Sequence, residues 1–236
     1  MKKKLKAVTF SFDDGNRQNK RLVDIFNKYG LKCSFNFNSG YLSVPWEIQR
    51  DGVKFNADHL TEEQVKEYFA GHEISSHTIH HPRLTGLADE DVVREVEGDR
   101  QRLSEIVGYQ VQGFAYPGSI NAFDDRVINI IKNKTGVRFA RTVTGTHSFD
   151  LPEDLFLFNP TVHLYGEYER AVEMAKSFIE MKPDKPQLYS IWGHSYEFEL
   201  GDGWEKFEAF CRLLSGKEDI FYGTNSEVLL SDQWYK

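Results

Sequence analysis

Strand-like patterns of apolar and polar residues recur along the whole chain. In the first of them, Val8, Phe10 and Phe12 alternate with polar neighbours, which predicts a buried strand. Six further segments have a similar strand-like character, at residues 33–37, 73–76, 111–116, 137–143, 188–192 and 220–222. The pattern therefore predicts about seven strands.

Helical spacing of apolar residues fills the connections between these strands. After the first strand, Leu22, Ile25 and Phe26 have this spacing, and Gly30 follows as a helix stop signal. Further helices are predicted near residues 61–71, 89–107, 127–131, 168–181, 204–214 and 226–230, whereas residues 41–56 and 144–160 are predicted to be irregular. Because strands that alternate with helices favour a parallel sheet, we expect one α/β domain over residues 1–236, a deformed (β/α) barrel.

Composition narrows the classes of partner. The formal charge of −7 argues against nucleic acid or an anionic membrane as the main partner. No apolar run approaches the roughly 18 residues of a membrane helix. The basic start at residues 1–4 resembles that of a signal peptide, but it runs directly into a strand, so we expect a cytoplasmic protein unless an upstream segment is missing. Cys33 and Cys211 are expected to be buried free thiols.

Chemically active side chains collect where the predicted strands end. Asp13 and Asp14 end the first strand, His77 and His81 follow the third, and His194 follows the sixth. In barrel folds the carboxyl ends of parallel strands form the face that carries the active site. We therefore expect these side chains to share one rim.

The Asp13-Asp14-Gly15 turn predicts different roles for its two carboxylates. Adjacent residues of a strand point to opposite faces, so both carboxylates can serve one site only if the strand breaks, which Gly15 permits. Two neighbouring carboxylates repel each other unless a positive charge separates their roles, and a divalent cation is the usual solution. One aspartate would bind the metal while the other handles protons.

The histidines at residues 77–81 have the spacing of metal ligands. His77 and His81 can meet one metal if the backbone curls through about a helical turn, ending near Pro82, whereas His80 should point elsewhere. Two histidines and one carboxylate leave a coordination position for water, which is typical of a catalytic site rather than a structural one.

These segments resemble the motifs of a known family. Ser-Phe-Asp-Asp-Gly at 11–15 and His-Thr-Ile-His-His-Pro at 77–82 are similar to the first two motifs of the polysaccharide deacetylases, the NodB-homology group or carbohydrate esterase family 4. Residues 114–118 and 190–194 are similar to its third and final motifs, more loosely. The resemblance covers roughly residues 7–195 and implies a deformed (β/α) barrel that removes N- or O-acyl groups from sugars.

The resemblance also implies a role for each motif residue. It implies a divalent metal, zinc or another, held by Asp14, His77 and His81. It makes Asp13 the general base and His194 the general acid that protonates the leaving amine. A backbone N–H at the end of the third motif would bind the oxyanion; because Pro117 has no N–H, that donor would be Gly118 or Ser119.

The sequence departs from the family pattern at three places. Ala115 stands where the third motif usually carries an arginine that holds the base, and we expect Arg141 to replace it, with Arg83 as the reserve choice. The fourth motif, whose aspartate tunes the histidine, has no clear match; Asp150 is a weak candidate. Gly118 stands where a tyrosine is usual, which would widen the cleft.

Aromatic residues leave two interpretations open. The content is 14%, with 18 Phe and 11 Tyr, and aromatics serve both cores and sugar-binding clefts. Trp46, Trp192, Trp204 and Tyr196 could each stack on a sugar ring or simply pack inside the protein.

Three functions compete at this point. The favoured one is a metal-dependent deacylase acting on an acetamido sugar or a related carbohydrate. The second is a deformylase or amidase acting on a small amide. The third is a carbohydrate-binding relative without activity, which would have no need of both a proton acceptor and a proton donor. The sequence does not identify the sugar, the acyl group, the metal or the oligomeric state.

Overall fold

The structure is a computed structural model that describes residues 3–236. Met1 and Lys2 of the basic start lie outside the described residues. The strands are β1 Lys6–Asp13, β2 Cys33–Phe37, β3 Glu47–Arg50, β4 Val53–Asn56, β5 Glu73–Ser76, β6 Gly113–Ala115, β7 Phe139–Arg141, β8 Val162–His163, β9 Gln187–His194 and β10 Ile220–Tyr222. The helices are α1 Asn19–Tyr29, α2 Glu62–Tyr68, α3 Asp89–Val107, α4 Asp125–Lys134, α5 Tyr168–Glu180, α6 Gly203–Leu214 and α7 Asn225–Leu229.

Eight of these strands form one parallel sheet. Its order is β7-β6-β5-β2-β1-β9-β8, and β10 pairs with β1 beside β2. Strand β1 is central, since β9 pairs with all eight of its residues while β2 and β10 share its other edge. The α/β fold with a parallel, barrel-like sheet is confirmed. Within this sheet, the strand that the pattern missed is β8, whose two residues are too few to show a period.

One short stretch joins the two edges of the sheet. Phe158 exchanges backbone hydrogen bonds with Ala140 of β7 and with Thr142 just after it, at 3.0 and 2.9 Å. Four residues later, Val162 pairs with Ile191 of β9. Residues 158–163, which include the edge strand β8, therefore connect β7 with β9, and the sheet curls toward closure as a deformed barrel.

The segment 41–56, predicted to be irregular, contains an antiparallel hairpin. Within residues 3–236, strands β3 and β4 pair only with each other. They flank a turn at Asp51 and Gly52, whose φ values of 51° and 77° are left-handed. Most residues of the hairpin are exposed. Because neither face is buried, the strands lack the alternation that marks a half-buried strand, and the prediction was wrong.

Phenylalanines account for much of the core beside β1. Phe10 and Phe12 are fully buried and contact Phe26 of α1 and Phe207 of α6, with ring centroids 4.8 to 6.1 Å apart. Burying each such ring contributes about 1.5–3 kcal/mol. Most of the high phenylalanine content thus belongs to the core that holds β1 in place rather than to a binding surface.

Local sequence signals fix the ends of several helices. Gly30 ends α1 in a left-handed conformation with φ of 64°, as its position predicted. Thr61 and Gln64 form the capping box that begins α2. Within the described chain, Cys33 and Cys211 are buried free thiols. A search of residues 3–236 finds no helix with the length and apolar character that crossing a membrane requires.

Candidate active site

The register between β1 and β9 brings the first and last motifs together. Asp13 pairs directly with His194 across the two parallel strands. The chain then turns at Asp14, whose φ of 74° is left-handed. As a result, both carboxylates face His77, whose Nε2 lies 4.0 Å from Oδ2 of Asp13 and 3.7 Å from Oδ1 of Asp14. The broken strand predicted from Asp13-Asp14-Gly15 is present.

Asp14, His77 and His81 place three donor atoms around one point. Nε2 of His81 lies 3.9 Å from Oδ1 of Asp14, and the three donor atoms all lie within 4.8 Å of one another. His77 Nδ1 is 2.8 Å from the carbonyl of Ala115; because a carbonyl only accepts, Nδ1 carries the hydrogen and the lone pair of Nε2 faces Asp14. This donor set fits a divalent metal such as zinc.

The segment from 77 to 81 reaches this geometry by bends rather than by a helical turn. Thr78 and His81 are both left-handed, with φ of 72° and 53°. The N–H of His81 donates to Oγ1 of Thr78 at 3.0 Å. His80 points away, and its Nδ1 lies 2.9 Å from Glu95.

Asp99 of α3 holds the backbone at His77 in place through hydrogen bonds. Its buried carboxylate accepts hydrogen bonds from the N–H of His77 at 3.0 Å, from Ser76 Oγ at 2.6 Å and from the N–H of Ser39 at 2.7 Å. Burial raises its pKa to about 6, although these hydrogen bonds oppose the shift. Asp99 was not predicted from the sequence, because a polar residue within an amphipathic helix gives no local signal that it is buried.

Asp13 is enclosed by hydrogen-bond donors. Arg141 Nη2 lies 2.5 Å from each carboxylate oxygen, and Asn36 Nδ2 donates to Oδ1 at 2.7 Å. Burial would raise the pKa of Asp13, but the charges of Arg141 and His194 and the hydrogen bonds from Arg141 outweigh it and lower the pKa to about 2. Asp13 is therefore ionised at neutral pH.

Strand pairing explains how Arg141 reaches this position. Arg141 on β7 pairs directly with Ala115 on β6, so the guanidinium enters from the strand next to the one expected to carry it. The side chain is fully buried, and its guanidinium lies 4.8 Å from the Trp192 ring centre. Arg83, the reserve choice, instead contacts Thr85 and Asn121.

His194 lies across Asp14 from the other histidines. Its Nε2 is 3.9 Å from Oδ2 of Asp14, and its Nδ1 is 3.5 Å from Oε2 of Glu197. Burial would lower the pKa of His194, but the carboxylates of Glu197, Asp14 and Asp13 outweigh it and raise the pKa to about 9. At neutral pH this imidazole carries a proton that it can donate. His77, by contrast, is neutral, because burial lowers its pKa to about 4.

Glu197 is the second residue that the sequence analysis missed. Its buried carboxylate accepts the backbone N–H of His194 at 3.1 Å and lies 3.0 Å from Nε2 of His163. Asp150, the weak candidate for a carboxylate beside His194, is instead an exposed partner of Lys185 at 2.7 Å. Glu197 follows His194 by three residues, so this spacing after a strand end was the signal available.

The segment from Tyr116 to Gly118 runs from a buried, hydrogen-bonded residue to an exposed one. The N–H of Tyr116 donates to the carbonyl of Arg141 at 2.9 Å, and Tyr116 is buried. Gly118 is exposed and left-handed, with φ of 74°. Its N–H remains a candidate donor to an acyl oxygen.

An aromatic cleft of about 480 Å³ opens beside Asp14 and His81. It is lined by Asp14, Tyr41, Val44, Pro45, Trp46, His59, His81 and Tyr196. Trp46 stacks on His59 and meets Tyr196 edge-on, with centroids 5.3 Å apart in both pairs. Trp204 and Trp192 are buried. Of the four aromatic candidates, only Trp46 and Tyr196 line this cleft.

Comparison with known proteins places the chain in a wider group. Residues 1–140 match the family model described as polysaccharide deacetylase. A Bacillus subtilis (strain 168) protein, YxkH, named provisionally as a polysaccharide deacetylase, is 31% identical over 140 residues, which are 58% of this chain and 44% of that protein. The match thus spans less than half of that relative.

Solved structures show the same fold at low identity. A family 4 carbohydrate esterase from Streptomyces lividans, in complex with acetate, has a TM-score of 0.60 at 15% identity and covers 93% of both chains. A family 4 pseudoenzyme from Bacillus anthracis has a TM-score of 0.59 at 14% identity, over 96% of this chain and 66% of that one. The fold therefore occurs in proteins with and without activity, so the fold alone does not indicate whether a protein is an enzyme; the side chains of the site do.

Proposed function

Because the chain belongs to the polysaccharide deacetylase family, we propose that it is a metal-dependent hydrolase that removes an N-acyl group, most simply acetyl, from an amino sugar or a related carbohydrate. One observation carries the proposal. A proton acceptor and a proton donor both lie beside the three proposed metal ligands. The acceptor, Asp13, is 4.0 Å from His77, and the donor, His194, is 3.9 Å from Asp14. A binding module would need neither.

Asp14, His77 and His81 would hold the metal. When bound, a divalent metal lowers the pKa of its bound water from about 16 to about 7, and the metal also polarises the acyl oxygen. The fixed Nδ1–H of His77, held by the Ala115 carbonyl, keeps its lone pair directed at the site. Zinc is the first choice for this metal, since two imidazoles and one carboxylate form a common zinc ligand set.

The remaining residues divide the proton transfers. Asp13, ionised and oriented by Arg141 and Asn36, accepts the proton of the attacking water. His194, charged beside Glu197, donates a proton to the leaving nitrogen as the carbon–nitrogen bond breaks. The N–H of Gly118, or that of Ser119, is assigned to the developing oxyanion. Arg141 touches only Asp13 among these groups, so it acts by positioning the base.

The cleft supports a carbohydrate as substrate. Trp46 and Tyr196 offer aromatic faces and edges beside Asp14 and His81, and sugar rings pack on such surfaces through their C–H groups. The relative from Streptomyces lividans is described as a carbohydrate esterase, which agrees with this assignment.

A panel of N-acylated sugars tests the proposal. We expect the metal-loaded protein to release acetate from N-acetylated amino sugars, measured by an enzyme-coupled acetate assay on single sugars and on oligomers. Formate released from small N-formyl compounds, with no acetate from any sugar, would favour the deformylase alternative instead. No release of either acid, with metal bound, would support the inactive relative.

A further inference from the structure

A second set of metal-type donors lies behind the proposed general acid. His163 of β8 lies across from the end of β9, where His194 and Glu197 lie. Nε2 of His163 is 3.0 Å from Oε2 of Glu197, and Nδ1 of His194 is 3.5 Å from the same oxygen. One donor atom from each residue lies within 4.8 Å of the other two. These three residues are called the rear cluster below.

The rear cluster contains a buried polar atom without a partner. Nδ1 of His194 has no hydrogen-bond partner among the described residues, although it is shielded from solvent. Buried nitrogen atoms are nearly always hydrogen-bonded, and the 3.5 Å separation from Oε2 of Glu197 leaves Nδ1 available to a ligand. The Glu197 carboxylate is held in place by the backbone N–H of His194. The carboxylate oxygen is therefore fixed before any ligand arrives.

We propose that the rear cluster is a second divalent metal site, distinct from the site at Asp14, His77 and His81. Two imidazoles and one carboxylate suit zinc and similar metals. Ligand atoms bound at about 2.0–2.1 Å around a tetrahedral zinc lie roughly 3.3 Å apart. The separations of 3.0 and 3.5 Å to Glu197 are close to that value.

Metal at the rear cluster inhibits the enzyme. Binding uses the lone pairs of His163 Nε2 and His194 Nδ1, and any proton on either atom is released to solvent. With Nδ1 coordinated, His194 can no longer form the imidazolium that serves as proton donor. Its remaining Nε2–H is too weak an acid for that step. The inhibition rests on the proposed function, whereas binding of the metal does not.

The chain offers a matched histidine–glutamate pair as a control. His147 Nε2 lies 2.8 Å from Oε2 of Glu167, much like the pair in the rear cluster. Arg170 contacts this surface pair, much as Arg50 lies 3.7 Å from Oε1 of Glu197. The third donor atom, supplied by His194, is what distinguishes the rear cluster. If a histidine–glutamate pair alone captured metal, His147 would do so as well.

Metal binding is measured first, on the full chain after removal of metal by chelation. Zn²⁺ is titrated against a competing chromophoric chelator. We expect two equivalents to bind wild type, the second more weakly. His163→Gln and Glu197→Gln should weaken the second equivalent at least 10-fold and keep the first, which also shows that both variants are folded. His147→Gln should keep both, and His77→Ala should lose the first and keep the second.

Two further readouts complete the test. In wild type, the second equivalent should shift the NMR signals of the His163 and His194 rings and leave that of His147 in place. Turnover should reach its maximum at one equivalent and fall with the second, and His163→Gln should move this inhibition to at least 10-fold higher free Zn²⁺. A single equivalent in wild type would overturn the proposal. So would a second equivalent that both cluster variants retain, or one that His147→Gln loses.

Discussion

At the scale of single residues, the ion pair between Asp13 and Arg141 governs the proposed base. The pair is buried and made at 2.5 Å, so its strength depends on geometry as well as charge. Lysine would keep the charge but lose the planar fork that also reaches Ser11, at 3.1 Å from Nε.

We therefore expect Arg141→Lys to lower kcat about 10- to 100-fold, because a misplaced base aligns its water poorly. Metal content should not change, since Arg141 contacts none of the proposed metal ligands. Steady-state kinetics with parallel metal analysis would check this. Arg83→Lys is the matched control, and equal kcat values for the two variants would contradict a positioning role.

The Glu197 carboxylate should set the alkaline limit of activity. His194 must be protonated to act as an acid, and its pKa is raised to about 9: burial opposes the charged form, but Glu197, Asp14 and Asp13 outweigh it. Activity should therefore be full below this pKa and fall as pH rises through about 9. In Glu197→Gln one of these negative charges is gone, so the fall should occur at lower pH.

Profiles of kcat against pH would measure the shift, with the exposed Glu199→Gln as control. An alkaline limb that stays in place in Glu197→Gln would show that Glu197 does not act on the proton donor.

At the scale of elements, helix α3 fixes the end of strand β5 through one carboxylate. Asp99 binds the N–H of His77 and that of Ser39, and so it joins the loop after β2 to the loop that carries the histidines. Groups that orient metal ligands typically change metal affinity 10- to 100-fold when they are removed.

We expect Asp99→Asn to weaken metal binding by about that factor while the protein still folds. Asparagine keeps one acceptor oxygen but loses the second. Competition with a chelator would give the affinity, and Asp91→Asn on the same helix is the control. Unchanged affinity in Asp99→Asn would mean that the backbone holds His77 without this support.

The turn between α2 and β5 carries a histidine that should make stability depend on pH. His72 accepts the N–H of Cys33 at Nδ1, at 3.2 Å, and burial lowers its pKa from 6.5 to about 4. Between these values the unfolded chain binds more protons than the folded one, so stability falls as pH drops from 6.5 toward 4.

His72→Gln removes this contribution, so its melting temperature should fall less than that of wild type between pH 7 and pH 4.5. His147→Gln, at the surface, should follow wild type. Parallel curves for His72→Gln and wild type would contradict the account.

At the scale of the whole molecule, the sequence predicted what local patterns can encode. Strand β1, helix α3 and the positions of Asp14, His77 and His194 at strand ends all follow from periodicity and spacing. Their joint position follows from the parallel sheet. The contact of Arg141 with Asp13 was also expected, because Arg141 lies near the end of the strand next to the third motif.

The parts that escaped prediction are contacts between distant elements. Asp99 contacts His77, 22 positions away, and His163 contacts Glu197, 34 positions away. The sequence around Asp99 and His163 contains no signal that predicts these contacts. The hairpin β3–β4 escaped because both of its faces are largely exposed. The role of the Gly118 N–H as a donor to the oxyanion remains a prediction.

The most direct test of the central claim separates metal binding from proton transfer. Asp13→Asn and His77→Ala are compared with wild type for tightly bound metal and for acetate release from an N-acetylated sugar. We predict that Asp13→Asn keeps about one tight equivalent while losing roughly 10²- to 10⁴-fold in kcat. His77→Ala should lose that equivalent and its activity together. A His77→Ala variant that retains wild-type metal and turnover, or a metal-free wild type as active as the reloaded protein, would contradict the account.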